Sequence, residues 1–192
     1  MIDSSVLIVS ATAAEAAYVP QGLELLITGV ATVPATIALA RRLASGPQPR
    51  RVINIGTAGA LRPGMNGVYE IDAVLKHDFD TDTIEQLTGG FHRNAMELER
   101  IAPELPAAAL ATGDAFIADA ATRDALARRA DLVDMEGWAI AYTAREFGIP
   151  VTLLKQVSDN ADEDTAPNWN DVVDRGAQEL ADVIRSLRGH RA

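Results

Sequence analysis

Two carboxylates, Asp134 and Glu136, interrupt the largely apolar and small-residue run LVDMEGWAIAYTAREFG at residues 132–148. A carboxylate among apolar neighbours is costly unless it is paired, hydrogen-bonded or functional. Glu136 is therefore either a boundary residue, its charge stabilised by the positive end of the helix that follows, or part of a site. Asp134, two residues back on the expected strand, reads as structural. Similar punctuation recurs in SATAAE (10–15), TGV (28–30), GTAGAL (56–61), GDAFI (113–117), MEG (135–137) and SDNADED (158–164). Any one of these serves a turn, since Gly frees the backbone and Asp, Ser or Thr caps helices. Six in succession, each at the end of an expected strand, are less easily dismissed as turns.

Several chemistries are set aside by what is missing. Cysteine is absent, which removes disulfides, thiolate metal sites and cysteine nucleophiles together. The histidines, His77, His92 and His190, lack H-x-x-x-H spacing, so no metal site is expected. The glycines of GTAGAL allow close approach of a ligand to the backbone, but there is no G-x-G-x-x-G and no Walker lysine. The acidic stretch DNADEDTAPNW (159–169) reads as a solvated connection rather than a cation site. A net charge of −10 and a pI near 4.7, with no basic stripe, argue against a nucleic-acid partner. The start, MIDSSVLIVS, has no basic leader region, and its apolar run is far too short to span a bilayer. A cytoplasmic protein without a membrane partner is expected.

The elements that must position these residues are legible from periodicity. A chain of 192 residues with 48% hydrophobic content suits one domain over 1–192. Strands are expected at 6–10, 23–29, 51–56, 68–75, 107–113, 132–135 and 151–158. Helices are expected at 33–45, 119–130, 136–148 and 169–189. In the last, Val173, Ala177, Leu180, Ala181, Ile184 and Leu187 share a face that should pack on a sheet, with Asn170 or Asp171 as N-cap. This alternation predicts an α/β domain with a mostly parallel central sheet, whose ligand sites lie at the carboxyl ends of the strands.

The segments VINIGTAGAL (52–61), TGDAFI (112–117), VDMEGWAIA (133–141) and QVSDNAD (156–162), in that order, resemble the purine nucleoside phosphorylase/nucleosidase superfamily. Within it they are most similar to the methylthioadenosine/S-adenosylhomocysteine nucleosidases. The resemblance implies a single-domain, three-layer α/β/α sandwich with a mixed, mostly parallel sheet, and no cofactor. It implies that the partner is a small purine nucleoside, cleaved at its N-glycosidic bond to release the free base. Glu15 falls where these enzymes carry the carboxylate that activates the attacking water, and Thr57 where they usually have a serine lining the same region. Phe116 and Ile117 match the pair that stacks on the purine and offers it backbone hydrogen bonds. Met135 matches the methionine packed against the sugar, and Glu136 the glutamate that binds the ribose hydroxyls. Asp159 matches the acid that protonates the base at N7, with Ser158 orienting it. Relatives are commonly homodimers in which a neighbouring subunit closes the pocket, so a homodimer is implied. The chemistry suits three separated carboxyl groups, because an oxocarbenium-like sugar needs a protonated leaving base and a nucleophile on the other side. An acid and a base at one pH need different environments, which a partly dry site supplies.

The nucleophile separates hydrolysis from phosphorolysis. A phosphate dianion calls for arginines, yet the first loop has none, and Asn54 stands where bacterial phosphorylases of similar motif carry one. Arg50 and Arg51 lie at the wrong end of that strand, so water is the better nucleophile. Two departures from the family bear on specificity. Only Ala16–Gly22 separates Glu15 from the next strand, where relatives have a helix and a hairpin. The segment 76–94 begins like the family's substrate loop and then lacks its tyrosine-rich continuation. The 5′-substituent thus stays open among methylthioadenosine, S-adenosylhomocysteine and futalosine-type nucleosides. A purine nucleoside phosphorylase, and a nucleoside-binding protein without catalysis, are the alternatives.

Overall fold

A computed structural model describes residues 4–90, 94–161 and 169–189. In chain order the elements are β1 (Val6–Ser10), β2 (Glu24–Ile27), α1 (Thr32–Ala44), β3 (Arg51–Ala60), β4 (Val68–Lys76), α2 (Thr81–Thr88), β5 (Ala95–Glu97), β6 (Ala107–Thr112), α3 (Ala120–Leu126), β7 (Leu132–Asp134), α4 (Gly137–Glu146), β8 (Val151–Asp159) and α5 (Trp169–Gly189). The strands form one mixed sheet in the order β2-β1-β3-β7-β6-β4-β5, with β8 paired to both β3 and β4. Pairings β1–β2, β1–β3, β3–β8, β4–β6 and β6–β7 are parallel, and β3–β7, β4–β5 and β4–β8 antiparallel. The sheet is therefore mixed and mostly parallel, as expected.

Period-two alternation sorts side chains onto its two faces. Leu7, Val9, Val52 and Leu153 meet Leu39 and Leu43 of α1 and Ile140 and Ala144 of α4 on one side. Val6, Ile8, Ile53, Ile55 and Leu154 meet Leu180 and Ile184 of α5 on the other. The expected face of α5 is the buried one, Val173, Ala177, Leu180, Ala181 and Ile184 being at most 4% exposed. Burying apolar area at ~25 cal/mol per Å² makes these two layers the main source of stability. Among the described residues, no helix is long and apolar enough to cross a membrane.

Some boundaries differ from expectation. GTAGAL is not a turn: β3 continues through Thr57, Ala58 and Gly59 because small residues there pair with β8 on one edge and, at Gly59, with β7. Asn170 and Asp171 are helical residues rather than caps, since α5 begins at Trp169. The helix expected at 119–130 spans only Ala120–Leu126, capped by Asp119, which accepts from Thr122 N at 2.8 Å. The segment 76–94 contains α2, a helix with no buried residue that starts at the Asp80 cap and ends at Gly89 with φ 65. The acidic stretch beyond Ala161, His92 and His190 lie outside the described residues.

Candidate active site

The carboxyl ends of β1, β3, β7 and β8, the loop after β6 and the first turns of α5 surround a cavity of about 570 Å³. All eight residues singled out in the sequence, Glu15, Thr57, Phe116, Ile117, Met135, Glu136, Ser158 and Asp159, line it. Phe116 is 58% exposed at the mouth, whereas Ile117 is buried.

Glu15 is held by its own turn and by β3. Thr12 donates to Oε2 from its backbone N at 3.1 Å and from Oγ1 at 2.9 Å. Thr57 donates to Oε1 from N at 2.9 Å and from Oγ1 at 3.0 Å. Four donors leave this buried carboxylate little rotational freedom. A Cβ at position 56 would stand 3.2 Å from Glu15 Oε1 and 3.3 Å from Lys155 Nζ, so Gly56 clears the space both occupy.

Lys155 is the residue that sequence reasoning missed. It sits in the middle of β8, 1% exposed, with Nζ 2.8 Å from Asp134 Oδ2. Burial alone would pull its ammonium down, but Asp134, Glu136 and Glu15 together hold it above its ordinary value. Asp134 is, as expected, structural: it also accepts from Thr112 Oγ1 at 2.6 Å and from Gly137 N at 2.8 Å, which ties β6, β8 and the start of α4 together. A lysine inside the apolar run VTLLKQV was the available signal, because a buried ammonium demands carboxylate partners.

Glu136 occupies the N-cap position of α4 without capping it. Its carboxylate turns instead to the start of α1, where Ala31 N donates to Oε1 at 2.7 Å. Ala31 has φ 84, a left-handed value that strains a residue bearing a Cβ by roughly 1–3 kcal/mol. That conformation aims its N–H at Glu136, and Asp114 pins the next residue by accepting from Thr32 N and Oγ1, both at 2.7 Å. Burial first, and then the neighbouring Asp134, raise the Glu136 carboxyl to about 7, against the pull of Lys155 and the Ala31 N–H.

Ser158 and Asp159 both face the cavity, which regular alternation along a strand would forbid. The β3–β8 register shifts at Ala58/Gly59, so that Ala58 pairs with Val157 and Gly59 with Asp159. Asp159 Oδ1 accepts from Ala161 N at 2.8 Å, and Oδ2 lies 2.7 Å from Ser158 Oγ, itself 3.4 Å from Ala58 O. A Cβ at Gly59 would be 3.0 Å from Asp159 Oδ1, so this glycine keeps room for the carboxyl group. Asn54, by contrast, is buried within the sheet, donating to Val9 O at 3.1 Å, and Arg51 pairs with Glu99 away from the cavity.

A mixed α/β sheet with carboxylates gathered at the strand ends is the setting in which a family assignment follows. The chain belongs to the phosphorylase superfamily, whose family model matches residues 21–188. Among curated proteins it is 27% identical over 163 residues to an aminodeoxyfutalosine nucleosidase of Helicobacter pylori, covering 76% of this chain and 70% of that protein. It is 31% identical over 143 residues to a 5′-methylthioadenosine/S-adenosylhomocysteine nucleosidase of Arabidopsis thaliana, covering 71% and 56%. A solved Helicobacter pylori nucleosidase variant with 5′-methylthioadenosine in its active site superposes with a TM-score of 0.85 at 19% identity, over 99% of this chain and 100% of that one. The last comparison establishes the fold.

Proposed function

We propose that the chain is a purine nucleosidase that hydrolyses the N-glycosidic bond of a 5′-substituted adenine nucleoside such as methylthioadenosine or S-adenosylhomocysteine. The observation that carries this reading is the convergence of Glu15, Glu136 and Asp159, from three different strand ends, on one cavity. The names of the relatives agree with it.

Glu15 takes a proton from water as the water oxygen bonds to C1′. The electron pair of the C1′–N9 bond leaves with the base, which receives at N7 the proton of Asp159. Ser158 suits that transfer: its hydroxyl can donate to Ala58 O while its oxygen accepts from the protonated Asp159, and it can turn to donate to Asp159 once the proton has gone. Glu136 accepts hydrogen bonds from the ribose hydroxyls, and its charge opposes the positive charge that develops on the sugar. Met135 packs on the sugar, Phe116 and Ile117 hold the base, and Thr57 fixes Glu15. Lys155, behind the cavity wall, opposes the rise of the Glu136 carboxyl. Water is favoured over phosphate because no Lys or Arg is among the described residues lining the cavity, and a dianion there would face Glu15. A homodimer accords with the exposed apolar side chains Val30, Val33 and Ile37 at the start of α1 and Phe116 at the cavity mouth.

The test is a nucleoside panel containing methylthioadenosine, S-adenosylhomocysteine and futalosine-type compounds in phosphate-free buffer. Release of adenine or another free base without phosphate is expected. A strict requirement for phosphate would replace hydrolysis by phosphorolysis, and binding with no base release from any compound would leave a nucleoside-binding protein.

A further inference from the structure

We propose that the pocket sorts nucleosides by the charge at the tip of the 5′ arm, with Asp174 setting the preference; this rests on the nucleosidase reading above. Sheet order gives the substrate its direction. The loop after β6 and the end of β8 bring Phe116, Ile117 and Asp159 to one end of the cavity, and the turn after β1 and Val30 beyond β2 form the other. With the base at the first end, C5′ leaves the opposite side of the furanose and points to the second. There Ala14 and Ala17 give an apolar wall suited to a thioether or alkyl stem, and the bond between Tyr18 and Asp174 brings the first turns of α5, with Asn170, Val173 and Asp174, beside it.

Asp174 is exposed yet fixed in place. Tyr18 Oη donates to its Oδ1 at 2.8 Å and Gln178 Nε2 to its Oδ2 at 2.8 Å. Asp174 in turn holds the Tyr18 phenol above its ordinary value, so Tyr18 stays a donor. Tyr18 belongs to the short connection between Glu15 and β2, and its bond fixes that connection to α5. Five carboxylates, Glu15, Asp134, Glu136, Asp159 and Asp174, contribute to the cavity wall, and no Lys, Arg or His does among the described residues. Lys155 offers an arm no counter-charge, being buried and paired with Asp134. Arg175 follows Asp174 in sequence, but a helical step of about 100° turns it away from the cavity. A carboxylate or phosphate at the arm's tip is therefore repelled, an ammonium is attracted, and a neutral tip is treated indifferently.

Three adenosine 5′-thioethers of matched length, ending in methyl, ammonium and carboxylate, test this through adenine release at low ionic strength. The expected kcat/KM for the ammonium arm exceeds that for the carboxylate arm by about tenfold or more. The gap should shrink in about 0.5 M salt, which screens exposed charges. Asp174→Asn, which keeps an acceptor for Tyr18, should close most of the gap. Asp182→Asn, the same change of charge further along α5, should leave it. Equal kcat/KM for the two charged arms in the unmutated protein, or an unchanged gap in Asp174→Asn, overturns the proposal. Absence of adenine release from the methyl-tipped compound counts against the nucleosidase reading instead. The charge preference is then read from calorimetric Kd values of the same three compounds, where equal affinities, an unchanged Asp174→Asn gap or no binding overturn it.

Discussion

Replacing Glu136 by Gln should make the protein more stable at alkaline pH and a poorer catalyst. A carboxyl group raised from 4.5 to about 7 binds its proton more tightly in the folded chain than in the unfolded one. Between those two values the folded state holds more protons, so stability falls as pH rises, and the loss is complete above about pH 7. At about 1.4 kcal/mol for each pH unit of difference, the full loss is about 3 kcal/mol. The amide introduced by Glu136→Gln removes that titration and keeps an oxygen for the Ala31 N–H, so the variant's advantage should grow from pH 5 to 8 and then level off. For a chain of this size, 3 kcal/mol corresponds to about 6–12 °C in Tm. Thermal denaturation of both proteins across pH 5–9 measures it, and groups that do not interact with Glu136 cancel in the difference. Turnover should move oppositely. Under the proposed reaction the ionised glutamate holds the ribose hydroxyls, and this form grows as pH rises, so kcat/KM should climb to a plateau above about pH 7. The variant should lack this limb and fall about 100-fold or more below the plateau, as losing charge-assisted bonds of about 1.5–3 kcal/mol each implies. Parallel Tm curves from pH 5 to 9 would refute the buried, raised carboxyl; full nucleoside cleavage by Glu136→Gln would return the residue to a local structural role.

Glu15→Gln should retain nucleoside binding by calorimetry while base release drops about 10²–10⁴-fold, the usual contribution of a general base; undiminished release would remove Glu15 from the mechanism. Lys155→Met should destabilise the fold by about 3–5 kcal/mol in urea titrations, because it strands Asp134 as a buried charge. The surface pair Glu24–Arg42 makes the contrast, since Glu24→Ala should cost under about 1 kcal/mol. Gly59→Ala should displace Asp159 through its Cβ and lower kcat well beyond its effect on Tm; a variant with unaltered kcat would show that Asp159 needs no such clearance.

Strand and helix types were legible because alternation and helical spacing follow directly from which faces are buried. α2 and β5 were not. One is a short polar helix with no buried residue, and the other a three-residue edge strand with only Met96 buried, so neither leaves a hydrophobic period to read. β3 outran its expected end because its glycines resemble a turn until the neighbouring strands are known, and their task is to leave room for Glu15, Lys155 and Asp159. Glu136 was visible as a carboxylate interrupting an apolar run, whereas Glu15, Thr57, Phe116, Ile117, Met135, Ser158 and Asp159 were singled out by the family resemblance. Lys155 hid in a run that otherwise reads as core, and its partner Asp134 lies on another strand. The Ala31–Glu136 contact joins residues 105 positions apart, a link that topology makes and spacing does not announce. Nothing in the sequence marks Asp174, whose place beside Tyr18 and in the cavity wall comes from the folded chain alone.

The arrangement of charge gives the buried carboxylates a common purpose under the proposed reaction. Among the described residues, Lys155 is the one cation facing Asp134, Glu136 and Glu15, and its direct partner is Asp134. Negative charge is thus in surplus, and the free protein relieves it by keeping Glu136 protonated up to about pH 7. A neutral nucleoside does little to balance the surplus. The oxocarbenium-like sugar does, because its positive charge appears between Glu136 and Glu15 only as the glycosidic bond breaks. Stabilisation that arrives with the transition state and is absent from the ground state accelerates the chemical step instead of merely tightening binding. The same electrostatics that make Glu136 costly to ionise in the empty pocket would therefore favour bond cleavage in the filled one. A variant that relaxes the first must weaken the second, which is why stability and turnover of Glu136→Gln are expected to move in opposite directions.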